Sequence, residues 1–417
     1  MGDFDSGPQG TRCIKRPAYH RGGARRKTRR PGGYVAIAAA ILGVALILLV
    51  LWEGFETIVL PRRVTRRFRL TRFFYRRTWL LWVAMARALV SAQHQDTCLS
   101  FFGPLSLLVL LSIWAMALMV GFALLQLATG SALLTHDGSS GFLTDLYLSG
   151  TTFFTLGIGD VVPRSTVSRL LVVVESGMGF GFLALVIGYL PGLNQSFARR
   201  EISISLLDAR AGSPPSASEI LHRHGHEHGM EALRLLLKEW ENWAAEFLEA
   251  HLSYPMLAYF RSQHDNQSWL GALTAVLDTS ALVMVGVEGA CQRQAELTFA
   301  MARHAVVDLS LVFNTRLREP GQDRLPPERL ALLRSQLAAD GVILRGGEES
   351  DEKLSQLRWL YEPYVDTLAG YFHISVPSWI AAEHRADNWQ TSVWDRHVGA
   401  TKPVGGAKGK PGEHFKG

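Results

Sequence analysis

The sequence has little cysteine, and no group of cysteines with a metal-binding or disulfide spacing. Its three cysteines, Cys13, Cys98 and Cys291, lie far apart and form no CxxC pair. This argues against a thiolate metal site and against a disulfide framework. No GxGxxG turn follows a strand pattern, so a Rossmann-type regulatory domain is not predicted. No alternating strand pattern appears after residue 199, which leaves helices as the expected element there.

The excess of positive charge is confined to the start of the chain. Residues 1–90 carry 18 Lys and Arg against 4 Asp and Glu, whereas the remainder carries 25 against 33. A basic surface of this kind meets either nucleic acid or the headgroups of a membrane leaflet. The apolar segments beside it favour the membrane, so we expect no nucleic-acid partner. Residues 1–33 and 399–417 lack an apolar period and are predicted to be disordered tails.

Three long apolar segments predict membrane helices. Tyr34 to Trp52 contains 19 residues without a charge, enough to cross about 30 Å of hydrocarbon as a helix, and we assign 34–60 to this N-terminal hydrophobic helix. Residues 104–128 predict a second span and 167–196 a third, whose apolar run from Leu170 to Ser196 is interrupted only by Glu175. About forty residues separate the second and third spans, which suits a re-entrant hairpin rather than a domain.

The hairpin region contains the most informative string in the chain, Thr151-Thr152-Phe153-Phe154-Thr155-Leu156-Gly157-Ile158-Gly159-Asp160-Val161-Val162-Pro163. It resembles the pore loop of potassium channels, with the signature Thr-x-Gly-Tyr/Phe-Gly-Asp. The apolar segments on both sides stand where that family has its outer and inner helices. The resemblance covers residues 104–198 and implies an all-α membrane pore domain: an outer helix at 104–128, a pore loop at 141–163 and an inner helix at 167–196.

The spacing of the loop agrees with the chemistry of a selectivity filter. Such a filter replaces the water shell of an ion with rings of backbone carbonyls, and inward-pointing carbonyls require positive φ at alternate residues, where glycine is favoured. The expected filter residues are Thr155, Leu156, Gly157, Ile158, Gly159 and Asp160. Because one chain supplies one such loop, a closed ring requires four copies. We therefore expect a homotetramer that conducts K⁺ passively, without a cofactor and without enzymatic chemistry.

One departure from the family pattern affects the expected selectivity. The third filter residue, usually aromatic, is Ile158, and Phe154 replaces the small residue common before the first threonine of the signature. The aromatic ring normally packs outward and helps to hold the filter's diameter. Two alternatives stay open: a weakly selective cation channel, and a membrane-anchored sensor or enzyme that has kept a non-conducting pore scaffold.

Three positions in the third span are candidates for gating or for filter support. Gly179 lies twenty residues beyond Gly159, which matches the inner-helix hinge of the family, although close helix packing is the competing interpretation. Pro191 could bend the inner helix or mark its end. Glu175 is an acid in an apolar run, and we weigh a hydrogen-bonded role behind the filter equally with an effect on ions.

The topology follows from a pore loop that enters from outside. It places the polybasic segment 61–103 and everything after residue 199 in the cytoplasm of a multi-pass plasma-membrane protein, in agreement with the positive-inside rule. Eight arginines in Arg62–Arg77 could bind anionic lipid, or could only fix the topology. A spanning first segment would put the basic N-terminal tail outside, which conflicts with the same rule.

The cytoplasmic region 199–398 is predicted to be all-α, with helical patterns near 231–252, 268–287, 290–317, 326–340 and 350–371. Four alternating histidines are possible ligands for Zn²⁺, Ni²⁺ or Cu²⁺, although a solvated linker is the stronger interpretation: His222, His224, His226 and His228. A polar and aromatic set could form a pocket or, equally, caps and ion pairs between helices: Arg261, His264, Asp265, Asn266, Trp269, His251, Asp278, His304 and Asp308.

Overall fold

A computed structural model describes Gly2 and residues 32–59, 70–131, 133–135, 141–226, 229–264, 266–315 and 323–381. Almost all of this described part is helical, so the predicted all-α class is confirmed. The strands within it are one antiparallel pair of three-residue strands, and a single isolated bridge joins Val287 to Leu344. The predicted disorder of the two tails concerns residues that lie almost entirely outside the described part.

The chain divides into two compact units. The smaller unit contains Met1–Leu46 and Met119–Gly179, and the larger contains Ile47–Leu118 and Phe180–Gly417. Three long helices contribute residues to both units: α1 (Gly33–Gly54), α4 (Phe102–Ala128) and α6 (Thr166–Ala211). These three helices are long and apolar enough to cross a membrane, and they coincide with the three predicted spans.

In the smaller unit, α1 packs closely against α4. A Cβ atom added at Gly43 would lie 2.7 Å from the carbonyl oxygen of Gly121, so the two backbones touch where neither has a side chain. Small residues allow this kind of contact between membrane helices. The contact lays the first apolar segment along the second, which favours a spanning first helix over a non-spanning one.

The rest of the smaller unit is the connection between α4 and α6. It consists of β1 (Leu133–Thr135), the helix α5 (Phe142–Phe153), a loop, and β2 (Val161–Pro163). β1 and β2 pair antiparallel with Leu133 opposite Pro163, so the strands join the two ends of the connection. The predicted re-entrant arrangement of a helix followed by a loop is therefore present.

Helix α6 is longer than the sequence pattern suggests. It runs without interruption for 46 residues, through Pro191 and on to Ala211. The predicted end of the inner helix at residue 196 is therefore wrong, and a proposed boundary at 198/199 falls inside a helix. Proline removes one backbone hydrogen bond but need not end a helix when neighbouring groups hold it.

The larger unit contains a helical domain after α6. Its helices are α7 (Ala217–Arg223), α8 (Gly229–Ser253), α9 (Trp269–Gly286), α10 (Gln292–Val312), α11 (Pro327–Ala339), α12 (Glu348–Trp359) and α13 (Glu362–Phe372). The single pattern at 350–371 is thus two helices, which Leu360 and Tyr361 separate. Helix α9 also has the length and apolarity of a membrane span, but nearly all of its residues are buried within the protein.

The polybasic segment contains two helices that the sequence analysis did not predict, α2 (Leu70–Leu89) and the short α3 (Gln95–Ser100). One face of α2 is buried through Tyr75, Trp79, Val83 and Ala86, at spacings of three and four. Glu53 near the end of α1 accepts hydrogen bonds from the backbone N–H groups of Leu70 and Thr71, both at 3.1 Å. A carboxylate thus caps the start of α2, where the helix dipole favours negative charge.

Candidate functional site

The candidate site is the loop that follows α5. Side chains on both sides of this helix fix its position: the Ser131 hydroxyl donates to Asp145 at 2.6 Å, and the Ser149 hydroxyl lies 2.8 Å from the carbonyl oxygen of Met119. Asp145 and Ser149 are fully buried. The C-terminal end of α5, with its partial negative charge, therefore leads directly into the loop, an arrangement that attracts a cation.

The loop backbone alternates in handedness. Thr155, Gly157 and Gly159 have φ of 56°, 57° and 82°, whereas the residues between them do not have positive φ. This is the alternation that the glycine spacing predicts, and it is the backbone pattern that turns successive carbonyl groups to one side. The N–H of Leu156 bonds back to the carbonyl of Thr151 at 2.8 Å, so the start of the loop is tied to the end of α5.

Thr155 adopts this conformation against its own preference. A β-branched residue at positive φ is rare, and holding one there costs about 1–3 kcal/mol. The surrounding structure must supply that energy, and strained backbone of this kind is typical of functional sites. The strain therefore adds Thr155 to the two glycines as a residue whose backbone shape the site requires.

A second tie holds the far end of the loop. The Tyr147 hydroxyl on α5 donates to the Asp160 carboxylate at 2.9 Å, and the other oxygen of Asp160 accepts from the backbone N–H of Val161 at 3.0 Å. The loop is thus anchored at both ends to α5 or to its own backbone. Between the anchors, the side chains of Leu156 and Ile158 are more than 60% exposed. Ile158 therefore contributes little packing within one chain.

Glu175 on α6 lies against α5 and is fully buried. It accepts a hydrogen bond from the Ser149 hydroxyl on α5. A second polar pair joins α4 to α6, because the Gln126 side chain donates to the carbonyl of Ser168 at 3.2 Å and accepts from the Ser168 hydroxyl. The hydrogen-bonded role considered for Glu175 is thus present, and its effect on ions stays a prediction.

Gly179 touches the end of α5. A Cβ atom added at this position would overlap the carbonyl oxygen of Phe153, while Cβ atoms at Gly177 and Gly181 would meet nothing within 4 Å. Close helix packing therefore explains why a glycine stands at residue 179. The hinge role predicted for it stays a prediction, as does a bend at Pro191, which lies within the uninterrupted α6.

The four alternating histidines do not form a site in the described residues. His222 pairs with Asp340 at 2.7 Å, and the buried His224 holds its Nδ1 2.7 Å from the carbonyl of Ile220. Burial lowers the pKa of His224 below its usual range. Within the described part of the chain no group of three His, Cys, Asp or Glu side chains could hold a metal ion. His228 lies outside the described residues, so metal binding stays a prediction.

The polar and aromatic set of the helical domain is dispersed rather than assembled. Arg261 pairs with Asp96 at 2.8 Å, and Trp269 is buried in the core. Asp278 receives the Arg324 guanidinium at 2.6 Å, and His304 faces Asp308 one turn along α10 at 3.3 Å. These residues therefore form separate ion pairs, one of them within a single helix, and core contacts, and they do not share one pocket. Asp265 lies outside the described residues.

Sequence reasoning missed the aromatic cluster around α2. Trp79 is 2% exposed and donates through its indole N–H to the carbonyl of Tyr371 at 2.8 Å, and its ring lies 4.9 Å from Phe102 and 5.4 Å from Tyr259 between centroids. An amphipathic pattern in the sequence indicates this buried face, because four residues recur at spacings of three and four: Tyr75, Trp79, Val83 and Ala86.

A family model described as "Ion channel" matches residues 107–193. That range contains the loop, most of α4 and the part of α6 up to residue 193, so the resemblance drawn from the motif is confirmed for this segment. The Uncharacterized membrane protein YdjJ of Bacillus subtilis (strain 168) is 24% identical over 247 residues, which cover 57% of this chain and 69% of that protein. No solved structure matches the chain.

Proposed function

We propose, from the premise that residues 107–193 are an ion-channel segment, that the chain is one subunit of a tetrameric channel that conducts K⁺ passively across the plasma membrane. The observation that carries the proposal is the alternation of positive φ at Thr155, Gly157 and Gly159. These residues directly follow α5, which is held in place by hydrogen bonds of its buried polar side chains. Alternating backbone of this kind supplies carbonyl oxygens in place of the ion's hydration shell. Only several copies around one axis complete such a ring.

The exposure of apolar residues on α6 supports assembly of this kind. Eight of its large side chains are more than half exposed in the single chain: Val167, Leu170, Val173, Phe180, Leu183, Ile187, Ile202 and Leu206. Apolar area of this extent requires lipid or neighbouring subunits. In the proposed tetramer four α6 helices would surround the conduction path. The helical domain would lie in the cytoplasm, and Arg62–Arg77, of which only Arg72, Arg76 and Arg77 are described, would meet anionic lipid.

The decisive experiment is ion flux from liposomes that contain the purified protein. We expect K⁺ flux from the wild type and none from Gly157→Ala, because a side chain at this positive φ distorts the carbonyl ring. Gly177→Ala is a matched control, since its added Cβ meets no atom within 4 Å. Flux that is equal in Gly157→Ala and wild type would refute the filter. No flux from any of the three would favour a non-conducting scaffold.

A weakly selective cation channel is the second candidate, and Ile158 is the observation that favours it. The side chain is 62% exposed and provides no ring to brace the loop. The ratio of K⁺ to Na⁺ flux separates the two candidates. If Ile158 limits selectivity, Ile158→Tyr raises that ratio. A high ratio of K⁺ to Na⁺ flux in the wild type would exclude a weakly selective channel.

A further inference from the structure

A short segment of the helical domain, Tyr254–Phe260, lies directly against the cytoplasmic half of α6. It connects α8 to α9, and its 3₁₀ turn, Pro255–Tyr259, buries four side chains in succession: Met256, Leu257, Ala258 and Tyr259. We call this segment the clasp. All of its contacts described below lie within the larger unit.

The first contact brackets Pro191. The ring of Tyr254 lies 5.3 Å from the ring of Tyr189 between centroids. On the other side of the proline, a Cβ atom added at Gly192 would lie 2.7 Å from the Tyr254 hydroxyl oxygen. Only the lack of a side chain at Gly192 allows this approach. The clasp therefore touches α6 on both sides of its proline.

The second contact lies two to three turns further along α6. The Arg200 side chain is 3% exposed, and its guanidinium donates to the carbonyl oxygens of Leu257 at 2.9 Å and Phe260 at 2.7 Å. Its Nε donates to Glu201 at 3.0 Å. A planar guanidinium that is bound at several points fixes the orientation of its partners as well as their distance. The clasp backbone thus holds α6 at a point remote from Pro191.

The third contact joins the clasp to the helices that precede the pore segment. The Met256 sulfur lies 3.3 Å from the Tyr189 hydroxyl and 3.8 Å from the Tyr75 hydroxyl on α2. A Cβ atom at Gly103, near the start of α4, would lie 2.7 Å from the ring of Phe260. The clasp therefore contacts α2, α4 and α6 together.

We propose that the clasp is the part of the helical domain that sets the conformation of α6 around Pro191, and thereby regulates ion flux. A proline leaves one helical hydrogen bond unmade and is the usual position of a bend. Contacts on both sides of Pro191 oppose that bend, and α6 is continuous here. Displacement of the clasp by any event in the domain frees the helix to bend. This inference rests on the proposed channel function.

The test uses one crowded glycine and one open glycine in the same helix. Gly192→Ala pushes against the Tyr254 hydroxyl, whereas Gly188→Ala adds a methyl group that meets no atom within 4 Å. The double variant Gly192→Ala/Tyr254→Phe removes the crowding oxygen, and the nearest remaining ring atom, Cζ, then lies 3.6 Å from the new methyl. The three variants are compared with wild type by K⁺ flux in liposomes and by hydrogen exchange of residues 186–200.

We expect Gly192→Ala to change flux at least about fivefold and to speed exchange in α6, and the double variant to restore both. Gly188→Ala should match wild type. If the wild type conducts but Gly192→Ala has the same flux, or if the double variant does not recover, the clasp does not have this role. Either result leaves the channel function intact. Absence of flux from the wild type would instead refute the channel function, and with it the regulatory role.

Discussion

Acidification should destabilise the helical domain through one buried histidine, His251. The side chain is 0% exposed and lies between Phe247 and Trp269, at centroid distances of 3.9 and 6.0 Å. Its Nδ1 is 2.7 Å from the Phe247 carbonyl, which can only accept, so Nδ1 carries the proton. Burial, and then the positive charge of Arg200, lower the pKa of His251 to about 3.

The direction of the pH dependence follows from this lowered pKa. In the unfolded chain the histidine takes up a proton below its ordinary pKa of about 6.5, while in the folded domain it stays neutral down to about 3. Between these values the unfolded state binds more protons, so stability falls as the pH falls. The expected loss is about 2 kcal/mol at pH 5 and about 4 kcal/mol at pH 3.

Thermal unfolding of the full chain in detergent, followed by tryptophan fluorescence at pH 7.5 and pH 5, measures this loss. For a domain of this size about 2 kcal/mol corresponds to roughly 4–8 °C in Tm. His251→Phe keeps an aromatic ring but has no group that takes up a proton. On acidification from pH 7.5 to pH 5 we expect its Tm to fall by roughly 4–8 °C less than the Tm of the wild type. His94→Phe, at an exposed position, should behave as the wild type does. The reasoning is refuted if His251→Phe and wild type lose the same Tm.

Three further substitutions test packing, capping and a buried charge. Gly179→Ala, which crowds the Phe153 carbonyl, should abolish flux and reduce recovery of assembled protein on size exclusion, while Gly181→Ala should do neither; equal behaviour would contradict close packing. Glu53→Ala should lower the free energy of unfolding by about 1–2 kcal/mol and speed hydrogen exchange at the start of α2, because it removes the helix cap. Unchanged exchange would exclude the cap. Arg324→Leu should lower the free energy of unfolding by about 3–5 kcal/mol because it leaves the buried Asp278 carboxylate without its cation; a loss near zero would contradict that pairing.

The parts of the structure that the sequence predicts correctly are those with a strong local signal. Uncharged runs identify α1 and α4 because a membrane core tolerates few polar groups. The glycine spacing predicts the alternating φ of the loop because the backbone requirement lies within six residues. Helical periods predict α8, α10 and α11 within a few residues, since one face of each is buried, and a largely apolar run predicts α9, which is buried on nearly all sides.

The parts that the sequence does not reveal depend on distant partners. The continuation of α6 past residue 196 was missed because Arg199, Arg200 and Glu201 resemble a change to soluble chain. Arg200 is instead buried by carbonyl groups 57 and 60 residues later, and no local pattern predicts such partners. Gly192 and Gly103 likewise look like ordinary helix glycines until the rings that approach them are known.

Asp278 also opposes the entry of α9 into a membrane while the chain is being synthesised. The 18-residue helix Trp269–Gly286 is apolar enough to enter a membrane, as are three helices that leave the ribosome before it. Asp278 stands at its midpoint, where an aspartate opposes insertion by about 2.5–3.5 kcal/mol. The same carboxylate that receives Arg324 in the fold therefore also makes insertion of α9 into a membrane less favourable. A neutral, apolar residue at this position would threaten the topology of the chain before it threatened the stability of the fold.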